Sequence, residues 1–409
     1  MAFLPGGVCS EDGSAAHAVR LTFSALPVDR LREGARRLAC HGRRGVHGNQ
    51  PSDRRGRRRG RPRAAVLDHR GPPAPAGLDR RPHVERLGHR SHRRRGPDHD
   101  RLAAGPRPDS QLFLDEGDLL LCESPTYLAD LQSFQVFGPR CLGVPTDDQG
   151  LDLDALERQL DRERPKLVYV IPNAQNPSGR TWSVERRRAF VDLITRHELP
   201  VIEDAAYGDV IFDGAIPPAL KAFDTRGLVV TLGTFSKILC PGLRLGWVAA
   251  SPELREKYVI LKQSTDLHTP TLTQMLAARW LQSADFDANL ARIRALYRER
   301  RDVMVAALES ELPGLRFTRP AGGLFVWLQL PEGVDARELL KRCLERQVAF
   351  VPGGSFFAGE AQHNTARLNF SAMPPERIRE GIRRLAAALR ELTSAAQPRL
   401  PELASAPAR

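Results

Sequence analysis

No run in the 409 residues reaches the roughly 18 consecutive apolar residues that a membrane span needs. Met1 to Ser14 lacks the charged and apolar regions of a secretory leader, so the expected compartment is the cytoplasm. Cysteine is scarce, with six residues at positions 9, 40, 122, 141, 240 and 343. None forms a Cys-x-x-Cys pair or a disulfide-like cluster, which fits small buried thiols in a reducing compartment. No metal site is expected.

Other residue types are missing locally. Between residues 41 and 110 there is no Phe, Tyr, Trp, Ile, Met or Lys, while Arg, Gly and Pro fill 38 of the 70 positions. So little apolar surface cannot offset the entropy of ordering the backbone, and this block builds no core. It also holds the whole charge excess. Its 19 Arg against 7 acidic residues account for the net charge of +12, and the remaining chain balances at 42 basic and 42 acidic residues. Clustered arginine can neutralise nucleic-acid phosphates. The block nevertheless has no helix-turn-helix pattern, no aromatics to stack on bases, and too much Pro and Gly for a continuous basic helix. A nucleic-acid partner is therefore not expected.

From Leu112 onward the pattern is that of a folded protein. Lys166 to Ile171, Leu199 to Glu203, Gly227 to Gly233 and Arg244 to Ala250 read as buried strands. Helical spacing falls between them at Leu151 to Arg164 and at Ser183 to Glu198, the second opening on Ser183 as an N-cap. Strand and helix in alternation imply right-handed βαβ units and a mostly parallel sheet, with ligands beyond the carboxyl ends of the strands. After residue 268 the pattern changes to a long helical stretch, Leu272 to Leu312. A strand at Gly322 to Leu330 and helices at Ala336 to Arg346 and Pro375 to Leu392 follow. The expected class is α/β: a mostly parallel large domain over 111–268 and a smaller α+β domain over 269–393. Residues 1–40 are expected to be a partial N-terminal arm and 394–409 a disordered tail.

Each of the first three strands ends in polar residues: Asn176 to Gly179, then Asp204 and Tyr207, then Thr234 to Lys237. These should converge on one rim. Lys237, in Gly233-Thr234-Phe235-Ser236-Lys237, is placed to form a Schiff base if it is partly desolvated beside an anion site. Taken singly, the residues have plainer readings: Lys237 as a surface lysine, Asp204 as a helix cap, Arg244 as a solvated strand-end charge.

The combination resembles the fold-type I, pyridoxal-phosphate-dependent aminotransferases of classes I and II, over residues 112 to about 392. The subgroup it resembles is that of the 2-aminoadipate and kynurenine aminotransferases, which also forms the catalytic half of GntR-type (MocR) regulators. Tyr169 to Gly179, reading Tyr-Val-Ile-Pro-Asn-Ala-Gln-Asn-Pro-Ser-Gly, is close to that group's signature. The resemblance implies that Lys237 holds pyridoxal phosphate as a Schiff base and moves the proton between the substrate Cα and the cofactor C4′. It implies that Asp204 pairs with the pyridine nitrogen, and that Asn176 and Tyr207 donate to the phenolic oxygen. Thr234, Ser236 and Arg244 match the phosphate ligands. Tyr127, in Glu123-Ser124-Pro125-Thr126-Tyr127, matches the ring that stacks on the cofactor, with a core tyrosine as the competing reading. Arg367, in Thr365-Ala366-Arg367-Leu368-Asn369-Phe370, matches the arginine that takes the substrate carboxylate, and an edge-strand arginine is the plainer alternative. The implied reaction is ping-pong transfer of an amino group between an amino acid and a 2-oxo acid, with 2-oxoglutarate as the common acceptor. The implied assembly is a homodimer in which a neighbouring tyrosine reaches the phosphate. A β-eliminating lyase, an acyl-transferring synthase, the effector domain of a regulator and an inactive frameshifted product are the other readings.

The front of the chain departs from that family. A Gly-Ser-Gln-Gln-Ala-Leu-Asp type turn, whose amides cradle phosphate at a helix N-terminus, is absent. In its place Asp98 to Asp109 reads Asp-His-Asp-Arg-Leu-Ala-Ala-Gly-Pro-Arg-Pro-Asp. Back-translated and advanced by one base, Asp100 to Asp109 permits Thr-Gly-Ser-Gln-Gln-Ala-Leu-Asp-Leu-Ile, the missing motif in its expected place. Residues 41–110 are therefore read as a frameshifted translation, entered near Ala39 to Gly45 and left near Ser110. Leu26 to Glu33 still resembles the family's arm helix.

Overall fold

The computed structural model describes residues 2–3, 108–283 and 285–396, all within one compact unit. The frameshift block up to residue 107, the arm helix at Leu26 to Glu33, Cys9 and Cys40, and the tail beyond Ala396 lie outside the described residues; Ser394 to Ala396, expected in the disordered tail, instead continue the last helix.

A short helix, α1 (Pro108–Phe113), leads into the first long strand, β2 (Leu119–Ser124). Then come α2 (Leu128–Gln135), β3 (Arg140–Asp147), β4 (Gly150–Leu151), α3 (Leu153–Arg162), β5 (Leu167–Val170), α4 (Val184–Arg196) and β6 (Val201–Asp204). β7 (Val229–Thr234) and β8 (Gly246–Ala249) complete a seven-stranded sheet in the order β4-β3-β2-β5-β6-β7-β8. Neighbours from β3 to β7 pair in parallel, while β4 and β8 are antiparallel edges.

Successive side chains of a strand point to opposite faces, so a sheet covered on both sides reads as an unbroken apolar run. Leu119, Leu121, Val168 and Val170 pack with Leu156, Leu160, Phe190 and Ile194 of α3 and α4. Leu120, Cys122, Leu167 and Tyr169 pack on the other face with Leu131 and Phe134 of α2. The expected strands at 166–171, 199–203, 227–233 and 244–250 thus appear within one or two residues of their expected ends, the last as the antiparallel edge. β3 was not expected, because Arg140, Gly143, Pro145 and Thr146 interrupt its apolar pattern and only Val144 is fully buried.

Beyond the sheet run α5 (Pro252–Asp266), α6 (Thr271–Leu281) and α7 (Asp285–Glu311). The expected boundary near residue 268 falls in the link between α5 and α6. β9 (Phe325–Gln329), α8 (Ala336–Glu345), β10 (Val348–Ala349), β11 (Val351–Pro352), β12 (Thr365–Asn369) and α9 (Pro375–Ala396) follow. β11, β12 and β9 form an antiparallel sheet. Its core is Val326, Leu328, Ala366 and Leu368 packed on Met304, Leu308, Leu339, Ile382 and Leu385. At the front of the chain β1 (Ala2–Phe3) pairs antiparallel with β10.

Ser183 does cap α4, its Oγ accepting from the Arg186 amide at 3.1 Å. Replacing it with Ala should lower stability by about 1 kcal/mol, whereas Phe190→Ala, which empties a wholly buried site, should remove about 3–5 kcal/mol. Urea unfolding of both variants checks the ranking, and equal losses would contradict the cap.

Candidate active site

Parallel pairing delivers the ends of β2, β5, β6 and β7 to one edge of the sheet. β8 starts where β7 stops, with Thr234 opposite Gly246, so Arg244 reaches the same edge. The expected site residues sit there for topological reasons, since each lies within a few residues of a strand terminus.

Asp204, the last residue of β6, is 2% exposed. Its Oδ2 accepts from the Tyr169 hydroxyl at 3.0 Å and its Oδ1 from the Ala206 amide at 3.0 Å. Those donors favour the anion. Tyr207, three residues on, is also buried. Its ring meets Phe325 edge to face at 6.0 Å, and the Lys237 ammonium lies 5.8 Å from its centroid. Lys237 itself is half-buried, at the end of a single 3-10 turn, Phe235–Lys237.

Arg367 crosses from β12 to this edge. Its Nη1 donates to Asn176 Oδ1 at 2.8 Å, and its guanidinium lies between the rings of Phe325 and Phe356, at 4.3 and 5.1 Å. Burial draws its pKa down, while Tyr207 and Tyr127 pull it back up. Its Nε and the Thr126 hydroxyl are buried with no hydrogen-bond partner. Tyr127, half-buried, precedes α2, and the Thr126 amide bonds the Phe356 carbonyl at 2.8 Å. Lys237, Tyr207, Asn176, Tyr127 and Arg367 are thus brought together.

The anion end is looser. Thr234 Oγ1 bonds Ser236 Oγ at 2.9 Å and accepts from the Ser236 amide at 3.1 Å. Arg244 is exposed, at φ +51°, with Nη1 on the Pro241 carbonyl at 3.2 Å.

Three supporting residues had no role on sequence grounds. Tyr169 could have been noticed, as the one phenol in an otherwise aliphatic strand. Phe356 sits in a 3-10 turn, Gly353–Phe356, far along the chain, and no local pattern marks it. Glu123 is 1% exposed and accepts from the Ile171 amide at 2.7 Å and from Trp182 Nε1 at 3.1 Å. It ties the segment before Tyr127 to the loop bearing Asn176.

A half-buried amine beside a phenol, a buried carboxylate that accepts two hydrogen bonds, an amide, hydroxyls and two guanidiniums form a set that suits pyridoxal phosphate. An α/β fold carrying that rim defines a pyridoxal-phosphate enzyme. Residues 110–385 match the family model "Aminotransferase class I and II". The chain is 42% identical over 287 residues to aromatic-amino-acid aminotransferase 1 of Thermococcus litoralis, covering 69% of each chain. It is 45% identical over 286 residues to the 2-aminoadipate transaminase of Thermus thermophilus, covering 69% of this chain and 72% of that one. It also resembles the crystal structure of the Thermus thermophilus alpha-aminoadipate aminotransferase complexed with N-(5'-phosphopyridoxyl)-L-leucine. There the TM-score is 0.69 and the identity 44%, over 71% of this chain and 75% of that chain. The protein belongs to the class I and II aminotransferases. It is an enzyme that uses pyridoxal phosphate to transfer an amino group between an amino acid and a 2-oxo acid.

Burial raises the Glu123 pKa from 4.5 to about 7, against hydrogen bonds from Gln175, Ile171 and Trp182 and the charge of Arg180. The folded state therefore holds this proton more tightly than the unfolded chain. The stabilisation is complete below pH 4.5 and is lost as pH rises through 7. Across that window the stability margin of the wild type over Glu123→Gln should fall by on the order of 3 kcal/mol. Urea titrations of both proteins on either side of the window check this, and a constant margin would contradict it.

Proposed function

We propose that the rim is the catalytic centre and that Lys237 is its reacting amine. The observation that carries the reading is the contact chain from Lys237 through Tyr207 and Phe325 to Arg367 and Asn176. When bound, pyridoxal phosphate supplies a ring that withdraws the electrons of the bond broken at the substrate Cα. Lys237 would hold the cofactor through its amine and would carry the proton to and from the substrate Cα. Asp204, whose carboxylate oxygens accept from the Tyr169 hydroxyl and the Ala206 amide, would pair with the pyridine nitrogen and favour its protonated form. Asn176 accepts from Arg367 through Oδ1 and so donates through Nδ2, joining Tyr207 at the phenolic oxygen. Tyr127 stacks on the ring, and Thr234, Ser236 and Arg244 take the phosphate. Arg367 offers its fork to the substrate carboxylate, with Phe325 and Phe356 fixing its plane.

The oxo acid acceptor is 2-oxoglutarate, and the working unit is a cytoplasmic homodimer. Among the described residues no helix is long and apolar enough to cross a membrane. Ile260, Leu267 and Leu272, 56–59% exposed along α5 and α6, offer the apolar surface a second copy would cover. The two-domain division at residue 268 and the frameshift over 41–110 remain part of this reading.

Mixing the cofactor-loaded protein with an amino acid and no acceptor should release one equivalent of its 2-oxo acid and no ammonia. Continuous formation of pyruvate and ammonia would instead establish elimination, and Lys237→Ala should abolish either. A second outcome follows from the front segment. Because the phosphate cradle is missing from the sequence as written, the purified 409-residue chain should lose its cofactor on gel filtration. Tight stoichiometric retention would refute this, and peptides unique to residues 45–107 in the expressed protein would show that the block is translated.

A further inference from the structure

Beneath the rim lies a buried charge that the proposed chemistry does not use. Arg187, in the first turns of α4, is 0% exposed. Its Nε donates to the Trp182 carbonyl at 3.1 Å, and its Nη2 donates to the Pro172 carbonyl and to Asn173 Oδ1, both at 2.7 Å. Its Nη1 donates to the Pro218 carbonyl at 3.0 Å. Three of these four acceptors stand at the two feet of one loop, residues 171–182, which rises from β5, carries Asn176 and returns into α4. The feet are also joined by the Trp182 amide to Pro172 carbonyl bond at 2.9 Å and by the Glu123 carboxylate, which takes the Ile171 amide and Trp182 Nε1, while higher in the loop the Ala174 amide bonds Thr181 Oγ1 at 2.9 Å. Burial draws the guanidinium pKa down to about 10, opposed by the charge of Glu203 on β6, so the group is a cation at neutral pH. Glu203 is itself occupied by the Leu220 amide at 2.7 Å and Thr231 Oγ1 at 2.8 Å.

We propose that Arg187 is a positioning residue: its planar fork fixes both feet of the 171–182 loop and so sets Asn176 against Tyr207 and Arg367. The effect on the cofactor rests on the role proposed for Asn176; the anchoring of the loop does not. Four acceptors spread around one plane suit a guanidinium, whose donors lie in a rigid fork, and do not suit the compact ammonium of lysine. Apolar contacts cannot replace it, because the Pro172 and Trp182 carbonyls and Asn173 Oδ1 would lose donors out of reach of water.

Loop anchoring and global stability are separable in one measurement. Methionine fills much of the same volume without a charge; because it removes one member of a buried charged group and so costs global stability as well, the loop is read against a distant strand of the same protein. Hydrogen exchange of the full chain without cofactor, read on peptides across 171–182 and across Phe325–Gln329, therefore tests the proposal. Arg187→Met should speed exchange in 171–182 by about 10- to 100-fold and in the β9 peptide by much less. Asn173→Ala, which removes one acceptor and leaves the charge, is the milder second variant and should speed the same peptide by a smaller factor. No change in 171–182 in either variant, or an equal rise in both peptides, would overturn the proposal. With pyridoxal phosphate added, Arg187→Met should also raise the pH at which the bound cofactor's absorbance changes. A loosened loop with an unmoved absorbance titration would uphold the anchoring by Arg187 and overturn the assignment of Asn176.

Discussion

Five neighbouring strands run parallel while both faces of their sheet are covered by helices and loops. Burial on both faces fixes register strongly, since a slip of one residue exchanges every side chain between faces. On β5 such a slip would send Tyr169 toward α3 and α4 and take its hydroxyl away from Asp204. On β2 it would turn Leu120 and Cys122 outward from the α2 side. The polar residues of the site stand just past the strand ends, so their positions follow from the register of a core made almost wholly of Leu, Val, Ile and Phe. The chemistry at the rim is held in place by apolar packing some distance below it.

A second layer, between that core and the rim, is charged. Glu123, Arg187, Glu203 and Asp204 are all buried. Burial pushes both glutamates up and Arg187 down, which marks each as an unfavourable place for a charge. They are tolerated because each meets several hydrogen-bonding groups, and most of those partners are backbone atoms of loops rather than other ions. Loops that leave a parallel sheet carry amides and carbonyls that no ladder satisfies. A carboxylate can take two such amides and a guanidinium four such carbonyls. Glu123 takes the Ile171 amide and the Trp182 indole N–H, and Arg187 takes the Pro172 and Trp182 carbonyls, so both feet of one loop are gripped by an acceptor group and a donor group together. The same layer keeps Gln175, whose Nε2 bonds the Pro125 carbonyl at 3.0 Å, over the segment that leads to Tyr127.

Legibility in the sequence followed the range of the interaction. β5, β6 and β7 were readable because covered parallel strands are runs of consecutive apolar residues. α4 was readable from its period and its Ser183 cap. α5 was not, because Tyr258 is its only buried residue and no amphipathic stripe marks it. Lys237, Asp204, Tyr207 and Asn176 could be proposed because each lies in a short motif just after a strand. The contacts of Arg187, Phe356 and Tyr169 could not be read. Arg187 stands between two other arginines, and although it lies in the stripe of Phe190, Val191 and Ile194, its charge argues against burial and the period does not name the carbonyls it meets. The bond between Arg367 and Asn176 spans 191 residues, and only the folded chain makes it visible.

The two ends of the proposed cofactor site differ in how they are built, and the difference is electrostatic. At the ring end the donors and acceptors are fixed by the fold: Asp204 by Tyr169 and Ala206, Asn176 by Arg367, and Arg367 by two aromatic rings. At the phosphate end Thr234 and Ser236 bond each other, and Arg244 bonds the Pro241 carbonyl. A dianion arriving there competes for the proton that Thr234 already gives to Ser236 and meets Arg244 exposed to water, which lowers the net gain from both. Backbone amides at a helix N-terminus need no such exchange, because they have no partner within the helix to give up. A turn of the Gly-Ser-Gln-Gln type would therefore contribute more to holding phosphate than any of the three side chains. Residues 98–109 as written contain no such turn, so the chemistry of the ring and the retention of the cofactor depend on different parts of the chain.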